Sequence, residues 1–244
     1  MKAATRHDGR APGAMRDYAI KRRFTRAAPG SVLVSAGRTT LLVTASVELS
    51  VPPFLRGQGK GWLTAEYSML PGSTAPRKQR DRGPKTDGRT IEIQRLIGRS
   101  LRAALDLKLL GERSITIDCD VIEADGGTRT TAITGGFVAL VDALHALDLP
   151  MGALKDSVCA VSVGLIGGRA VVDLDYQEDS TAQVDMNVVM TGAGELVEVQ
   201  GTGEGSTFSV KELDLLVKAA RGALPQLTGI QKKALGRAWP FARK

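Results

Sequence analysis

Two stretches of the chain carry residue types spaced for chemistry on phosphate. The first, Asp125-Gly126-Gly127-Thr128-Arg129-Thr130, lies between a strand-like segment and an apolar helical one. At such a junction unpaired backbone N–H groups and the helix dipole favour an anion, and glycine lets the backbone approach it. Thr128 adds a hydroxyl donor, and Arg129 a guanidinium fork matched to phosphate oxygens. Gly-Gly before a helix is also ordinary turn chemistry, so the motif alone leaves both readings open. The second stretch holds Asp173, Asp175, Glu178, Asp179 and Asp185 with no Lys or Arg among them. Two converging carboxylates can hold a hydrated magnesium ion, or one can keep the other protonated as a general acid. Asp173, Asp175 and Glu178 read as an exposed acidic loop. Asp179 and Asp185 differ, because they flank a polar bridge, STAQV, that leads into the strand-like DMNVVM and can aim a carboxylate into a cleft. No Walker pattern or GxGxxG is present; Gly57, Gly59 and Gly61 lie between strand signals without the helix a dinucleotide site requires.

Positioning these residues takes sheets and helices, and the apolar periodicity supplies both. From Ser31 to Leu70, apolar and small polar residues alternate between glycines, which predicts short antiparallel strands. Pro71 to Gly88 is rich in Pro, Gly, Arg and Lys without a period, and reads as a flexible functional loop. Ile93, Leu96, Ile97, Leu101, Ala104 and Leu105 recur at helical spacing, so an amphipathic helix is predicted from Thr90 to Leu107. Its second stripe, Arg95, Arg99 and Arg102, reads as a solvated or subunit-contacting face. Ser114–Ala124 is a predicted strand, followed after the Gly-Gly motif by a helix ending near Pro150, with His145 a packed or surface residue on it. Strand signals resume at Val158–Ile166, Ala170–Tyr176, Val184–Met190 and Leu196–Gln200. Helices are predicted at Lys211–Ala223 and Gly229–Leu235. Strands followed by helix occur twice, which suggests one α+β unit of two similar lobes.

The 244 residues, 43% hydrophobic and 24% charged, exclude a disordered or collagen-like chain and are enough for a real core. No apolar run is long enough to span a membrane, and the basic N-terminus lacks the apolar core of a secretory signal, so a cytoplasmic protein is expected. Cys119 and Cys159 sit in apolar stretches and read as reduced core thiols. The net charge is +7, with eight Lys/Arg against two Asp in residues 1–30, six against two in 76–90, and five against none in 231–244. An acidic body with three basic segments is the expected footprint of a protein that holds a phosphate backbone in one groove.

The strings GQGKGWLTAEYSMLP, GRTIEIQRLIGRSLRAALDL, ITIDCDVIEADGGTRTTAITG, EDSTAQVDMNVVMT and VEVQGTGEG follow one another between about Arg10 and Ala234. Together they resemble the ribonuclease PH family of phosphorolytic 3′ exoribonucleases, which trim the ends of transfer RNA precursors. The resemblance implies an α+β fold of the ribosomal protein S5 domain 2 type, a single domain over residues 1–244, and a homohexamer built as a trimer of dimers. It implies tRNA precursors and other RNA 3′ ends as partners, inorganic phosphate as co-substrate, Mg2+ as cofactor, nucleoside diphosphates as products, and a reversible reaction. Carried over by position, the phosphate site falls on Arg89, Gly127, Thr128 and Arg129. The catalytic aspartates, which are also the metal ligands, fall on Asp179 and Asp185. The RNA-binding loop, about residues 72–88, offers Arg77, Arg80 and Arg82, and departs from the family pattern at Gly72, where arginine is common. The rival readings are a noncatalytic RNA-binding ring subunit of the same fold and a ribosome-associated protein of similar lobe architecture.

Overall fold

A computed structural model describes residues 6–80, 87–205 and 207–241. Alternating apolar residues build the first sheet. β1 (Tyr18–Arg22), β2 (Gly30–Ala36) and β3 (Thr39–Glu48) form an antiparallel meander that buries Val32, Val34, Leu41, Val43 and Ala45. β1 precedes the region in which strands were expected. β4 (Trp62–Met69) corrects the expectation of antiparallel strands throughout Ser31–Leu70: it pairs in parallel with β5 (Ser114–Glu123), and the sheet order is β1-β2-β3-β5-β4. Parallel neighbours need a long crossover, usually helical. α1 (Gly88–Ala103) supplies it, packing Ile93, Leu96 and Ile97 into the same core as Leu63, Ala65 and Tyr67 of β4. A short helix, α2 (Leu107–Leu110), follows.

α3 (Thr128–Ala146) is buried at every residue from Thr130 to Leu144, because it packs on β2 and β3 of the first sheet and on β6 of the second. The second sheet is antiparallel, ordered β7-β6-β8-β9, from β6 (Val158–Ile166), β7 (Arg169–Val172), β8 (Val184–Thr191) and β9 (Leu196–Gly203). The strand expected through Tyr176 ends at Val172. Asp173 takes a φ of 56°, which breaks the strand, and Asp175 N-caps α4 (Tyr176–Asp179) in a capping box with Glu178. α5 (Val210–Leu235) is one helix where two were expected. Interior proline costs about 3 kcal/mol, but Pro225 faces solvent while Leu216, Ala220, Leu224, Leu227, Gln231 and Leu235 stay buried on either side of it. Continuous burial of that face offsets the lost backbone bond.

Cys119 and Cys159 are buried free thiols, and burial pushes both up, Cys159 to about 12. His145 is exposed. Among the described residues, no helix is long and apolar enough to cross a membrane.

The structure redraws the charge map. Asp173, Asp175 and Glu178 are buried, not an exposed loop, and their partners are Arg6, Arg10 and Arg16 of the basic N-terminal segment. Arg22 forks onto Asp142 and also donates to the carbonyls of Ala234 (3.1 Å) and Leu235 (2.9 Å) at the end of α5. These buried carboxylates would be costly without cations, so they draw the arginines inward. Much of the N-terminal charge is thereby neutralised within the protein.

Candidate active site

The phosphate-type motif opens α3. Gly126 and Gly127 take φ of 75° and 66°, a left-handed pair that ordinary side chains resist. At Gly126 a Cβ would also stand 2.6–2.8 Å from backbone atoms of Leu174, Asp175 and Tyr176, so only glycine lets this turn lie against the acidic connection between β7 and α4. Gly127 is the N-cap and offers no side chain to cap the helix, leaving the first-turn amides to an anion. Thr128 and Arg129 occupy that first turn. The Tyr67 hydroxyl, from β4, lies 2.8 Å from Thr128 Oγ1.

Arg89 sits in the first turn of α1, exposed, where Asp87 caps the helix by accepting from the Thr90 amide at 2.7 Å. Arg129 is more enclosed, its side chain 22% exposed. It reaches Glu92 of α1 at 3.6 Å and Gln200 of β9 at 3.5 Å, while Gln200 Nε2 donates to Glu92 Oε1 at 3.0 Å. Beside them Arg99 holds Glu198 of β9 in a two-pronged ion pair. This seam joins the first lobe to the second.

Asp179 closes α4 and Asp185 stands on β8. The Asp179 carboxyl is pushed up to about 6, chiefly by burial and then by the charge of Asp185 and a hydrogen bond with it. Arg129 and Arg89 pull the other way, so both guanidinium groups act on Asp179. The same two arginines act on Tyr67, whose phenol is nevertheless raised by burial. Residues from α1, α3, α4, β4, β8 and β9 thus meet in one cleft, with an uncapped helix terminus and two cations opposite two carboxyl groups, of which Asp179 is pushed up toward neutral pH. Such a set can hold an oxyanion and deliver a proton beside it.

Residues 14–145 match the model of the 3′ exoribonuclease family, domain 1, and residues 156–223 match domain 2 of the same family. The chain belongs to the 3′ exoribonuclease family. Ribonuclease PH of Rhodopirellula baltica is 58% identical over 216 residues, covering 85% of this chain and 88% of that protein. An Archaeoglobus fulgidus exosome structure with RNA bound to the active site superposes with a TM-score of 0.78 at 21% identity, covering 93% of this chain and 92% of that one. Rice (Oryza sativa) Rrp46 gives 0.78 at 17% identity, covering 94% and 100%. The architecture of this exoribonuclease family member is accordingly the α+β, two-lobed fold of the S5 type.

Of the sequence-derived residues, Arg89, Gly127, Thr128, Arg129, Asp179 and Asp185 come together in the cleft. Arg77 and Arg80 are exposed, on a stretch whose Lys78 pairs with Asp87 at the start of α1, and Arg82 lies outside the described residues. The base of that stretch is ordered: the amide of Lys78 donates to Pro71 at 2.9 Å, and that of Ala124 to Ser73 at 2.9 Å. Gly72 is exposed, and a side chain there would meet nothing within 4 Å of its Cβ. The arginine stripe on α1 is divided: Arg99 pairs with β9, Arg102 donates to the Leu63 carbonyl at 2.7 Å and stacks 4.4 Å over Trp62, and Arg95 is exposed. Sequence reasoning missed Tyr67, Glu92 and Gln200. Glu92 stands one helical turn after Arg89, a signal that spacing offers; Tyr67 and Gln200 are neighbours only in space.

Another grouping, His7, Asp8 and Asp175, places candidate ligand atoms within 4.8 Å of one another. Arg10 pairs with both aspartates there, so a guanidinium already occupies the place of a cation.

Proposed function

We propose that this cleft removes nucleotides from RNA 3′ ends by phosphorolysis, with Arg89, Arg129, Thr128 and the α3 amides holding the attacking phosphate and the Asp179–Asp185 pair serving the leaving group. The chain is a phosphate-dependent 3′ exoribonuclease of the ribonuclease PH type. The observation that carries the assignment is the meeting of two arginines, an uncapped helix N-terminus and two neighbouring carboxyl groups, Asp179 and Asp185. A noncatalytic RNA-binding subunit has no use for that pair, which burial and mutual repulsion make costly.

Two anions must meet in the reaction, and unit charges about 4 Å apart repel by about 4 kcal/mol at an effective dielectric near 20. Arg89 and Arg129 offset that repulsion and hold the phosphate in line with the terminal phosphodiester. An oxygen of inorganic phosphate bonds to the phosphorus, the bond to the ribose 3′ oxygen breaks, and that oxygen takes a proton from the carboxyl pair. The products are a nucleoside diphosphate and an RNA one nucleotide shorter. An ester is exchanged for an anhydride, so the reaction runs backwards when diphosphates abound. Asp179 and Asp185 also offer the hard oxygen donors that suit Mg2+, and bound there it would stabilise negative charge on the departing oxygen.

The substrates proposed are tRNA precursors with 3′ extensions, processed in the cytoplasm. The working unit is a hexameric ring, a trimer of dimers, in which each chain acts as one domain of two lobes. Incubating the protein with a 3′-extended tRNA, with and without inorganic phosphate, tests the assignment. Nucleoside diphosphates are expected only with phosphate; monophosphates, or no release at all, would refute it.

Tyr67→Phe removes only the hydroxyl beside Thr128 and is expected to raise KM for phosphate about fivefold, the worth of one neutral hydrogen bond near 1 kcal/mol. An unchanged KM would mean that Thr128 is placed without it. Replacing Arg77, Arg80 and Arg82 together by alanine is expected to weaken binding of tRNA precursors and to flatten its salt dependence by about 0.7–0.9 logarithmic units for each RNA phosphate that is no longer neutralised. Short oligonucleotides, which need not reach the loop, should be trimmed at the parent rate. Equal losses on both substrates would place the loop in catalysis or assembly instead.

A further inference from the structure

We propose that the segment from Arg6 to Arg16 is an internal strap that sets the spacing between the phosphate-holding and acid halves of the site, with Arg16 as the positioning residue that joins them. This deepens the phosphorolytic function and rests on it.

The Arg16 side chain is only 6% exposed. Its Nε and Nη2 donate to the two oxygens of Asp173 at 3.1 and 2.7 Å, and its backbone amide donates to the same carboxylate at 2.7 Å. The remaining nitrogen, Nη1, donates to the Asp125 carbonyl at 2.6 Å, and Nη2 also approaches the Gly126 carbonyl at 3.4 Å. One guanidinium therefore grips both chain segments. Beyond Asp125 and Gly126 the chain runs directly into Thr128 and Arg129; beyond Asp173 it runs into α4 and Asp179. The close packing of Gly126 on Leu174–Tyr176 means that these segments touch with no side chain between them.

α4 cannot hold its own orientation by apolar burial. It has four residues, Glu178 is its sole buried one, and Tyr176 is 64% exposed. What fixes it is the rest of the strap. Arg6 Nε donates to Glu178 Oε1 at 2.6 Å, its Nη2 bonds the other carboxylate oxygen, and its remaining bonds go to the carbonyls of Ala14 (2.9 Å), Val172 (2.8 Å) and Asp173 (2.9 Å). Arg10 adds a bond to the Asp173 carbonyl at 3.0 Å. Glu178 is the residue immediately before Asp179, so the carboxyl that faces Asp185 inherits its place from these bonds. Buried ion pairs return little stability beyond what apolar residues of the same volume would give. What a fork of fixed bonds does give is distance and angle, and an error near 1 Å in a reacting group can cost about a hundredfold in rate.

Arg16→Lys tests the strap, because lysine keeps the charge but cannot bond Asp173 and Asp125 through a fork. The expected result is a KM for phosphate raised about tenfold and a kcat lowered about ten- to a hundredfold, with KM for a short RNA changed less than twofold. Glu178→Gln loosens only the acid half, and is expected to lower kcat with KM for phosphate unchanged. Arg22→Lys is the stability control: it weakens a buried pair with Asp142 away from the cleft and should lower Tm while leaving KM for phosphate alone. If Arg16→Lys does not fold, Asp173→Asn loosens the same fork from its other side and should give the same pattern. Parent values of KM and kcat in the folded Arg16→Lys protein would overturn the proposal. So would a loss in which both KM values rise together as Tm falls. The phosphorolytic function would instead fail in the parent protein, through absence of diphosphates before any variant is compared.

Discussion

Arg129→Ala is expected to lower kcat/KM for phosphate about a thousandfold while leaving RNA affinity within about twofold of the parent. Removing one preorganised donor to a developing oxyanion costs a hundred- to a thousandfold in well-characterised enzymes, and Arg129 is both donor and counter-charge. It is partly enclosed and bracketed by Glu92 and Gln200, so its guanidinium is held in place before phosphate arrives. Truncation also leaves Glu92 and the acid pair facing the anion without their cation, which turns attraction into repulsion. Arg89→Ala should cost less, about tenfold, because Arg89 is exposed and water screens its charge. Phosphate titration at saturating RNA, paired with a direct RNA-binding measurement, checks both variants. Unchanged turnover at limiting phosphate would remove Arg129 from the site.

What the sequence makes legible here is local. The helical period of Ile93, Leu96, Ile97 and Leu101 places α1, and alternation in SITIDCDVIE places β5, because each pattern is satisfied by burial of one face. The Gly-Gly turn before Thr128 and Arg129 is legible for the same reason: its backbone demand is met within a few residues. Pairing between distant segments is not encoded this way. Nothing in WLTAEYSM tells a parallel edge strand from an antiparallel one, since that is decided by where α1 returns the chain. The acids at Asp173, Asp175 and Glu178 look like a solvated loop until Arg6, Arg10 and Arg16, more than 150 positions earlier, are brought against them. A proline in a helical pattern reads as a stop, yet at Pro225 the tertiary surface on both sides outweighs the local cost. Asp179 and Asp185 could be suspected from their spacing, but the upward push on Asp179 comes from its burial beside Asp185.

The upward push on the Asp179 carboxyl ties stability to rate. Asp179→Asn is expected to abolish turnover, by about a thousandfold or more, and to stabilise the protein at neutral pH. In the folded protein the Asp179 carboxyl is pushed up to about 6, by burial first and by Asp185 second, against an ordinary value of 3.8. Between those two pH values the folded state binds more protons than the unfolded one, so stability falls as pH rises, and above about 6 the full penalty is present. A displacement of this size is worth about 3 kcal/mol for a group shielded from water, and partial exposure of the carboxyl reduces it to about 1–2 kcal/mol. Asparagine carries no charge at any pH, so the variant should gain about 1–2 kcal/mol over the parent at pH 8 and nothing near pH 4. For a chain of this length that is a rise in Tm of about 2–8 °C. The melts belong in chelator and without phosphate, because a cation on the carboxyl pair or an anion on Arg89 and Arg129 would change the charge that Asp179 meets. Asp185→Asn removes the neighbouring charge instead, and should bring Asp179 back toward the ordinary carboxylate range while also stopping turnover. A gain in Tm for Asp179→Asn that is equal at pH 4 and pH 8 would mean that better packing, not the carboxylate's charge, is its source. No gain at either pH would mean that the Asp179 carboxyl is not pushed up in the folded protein.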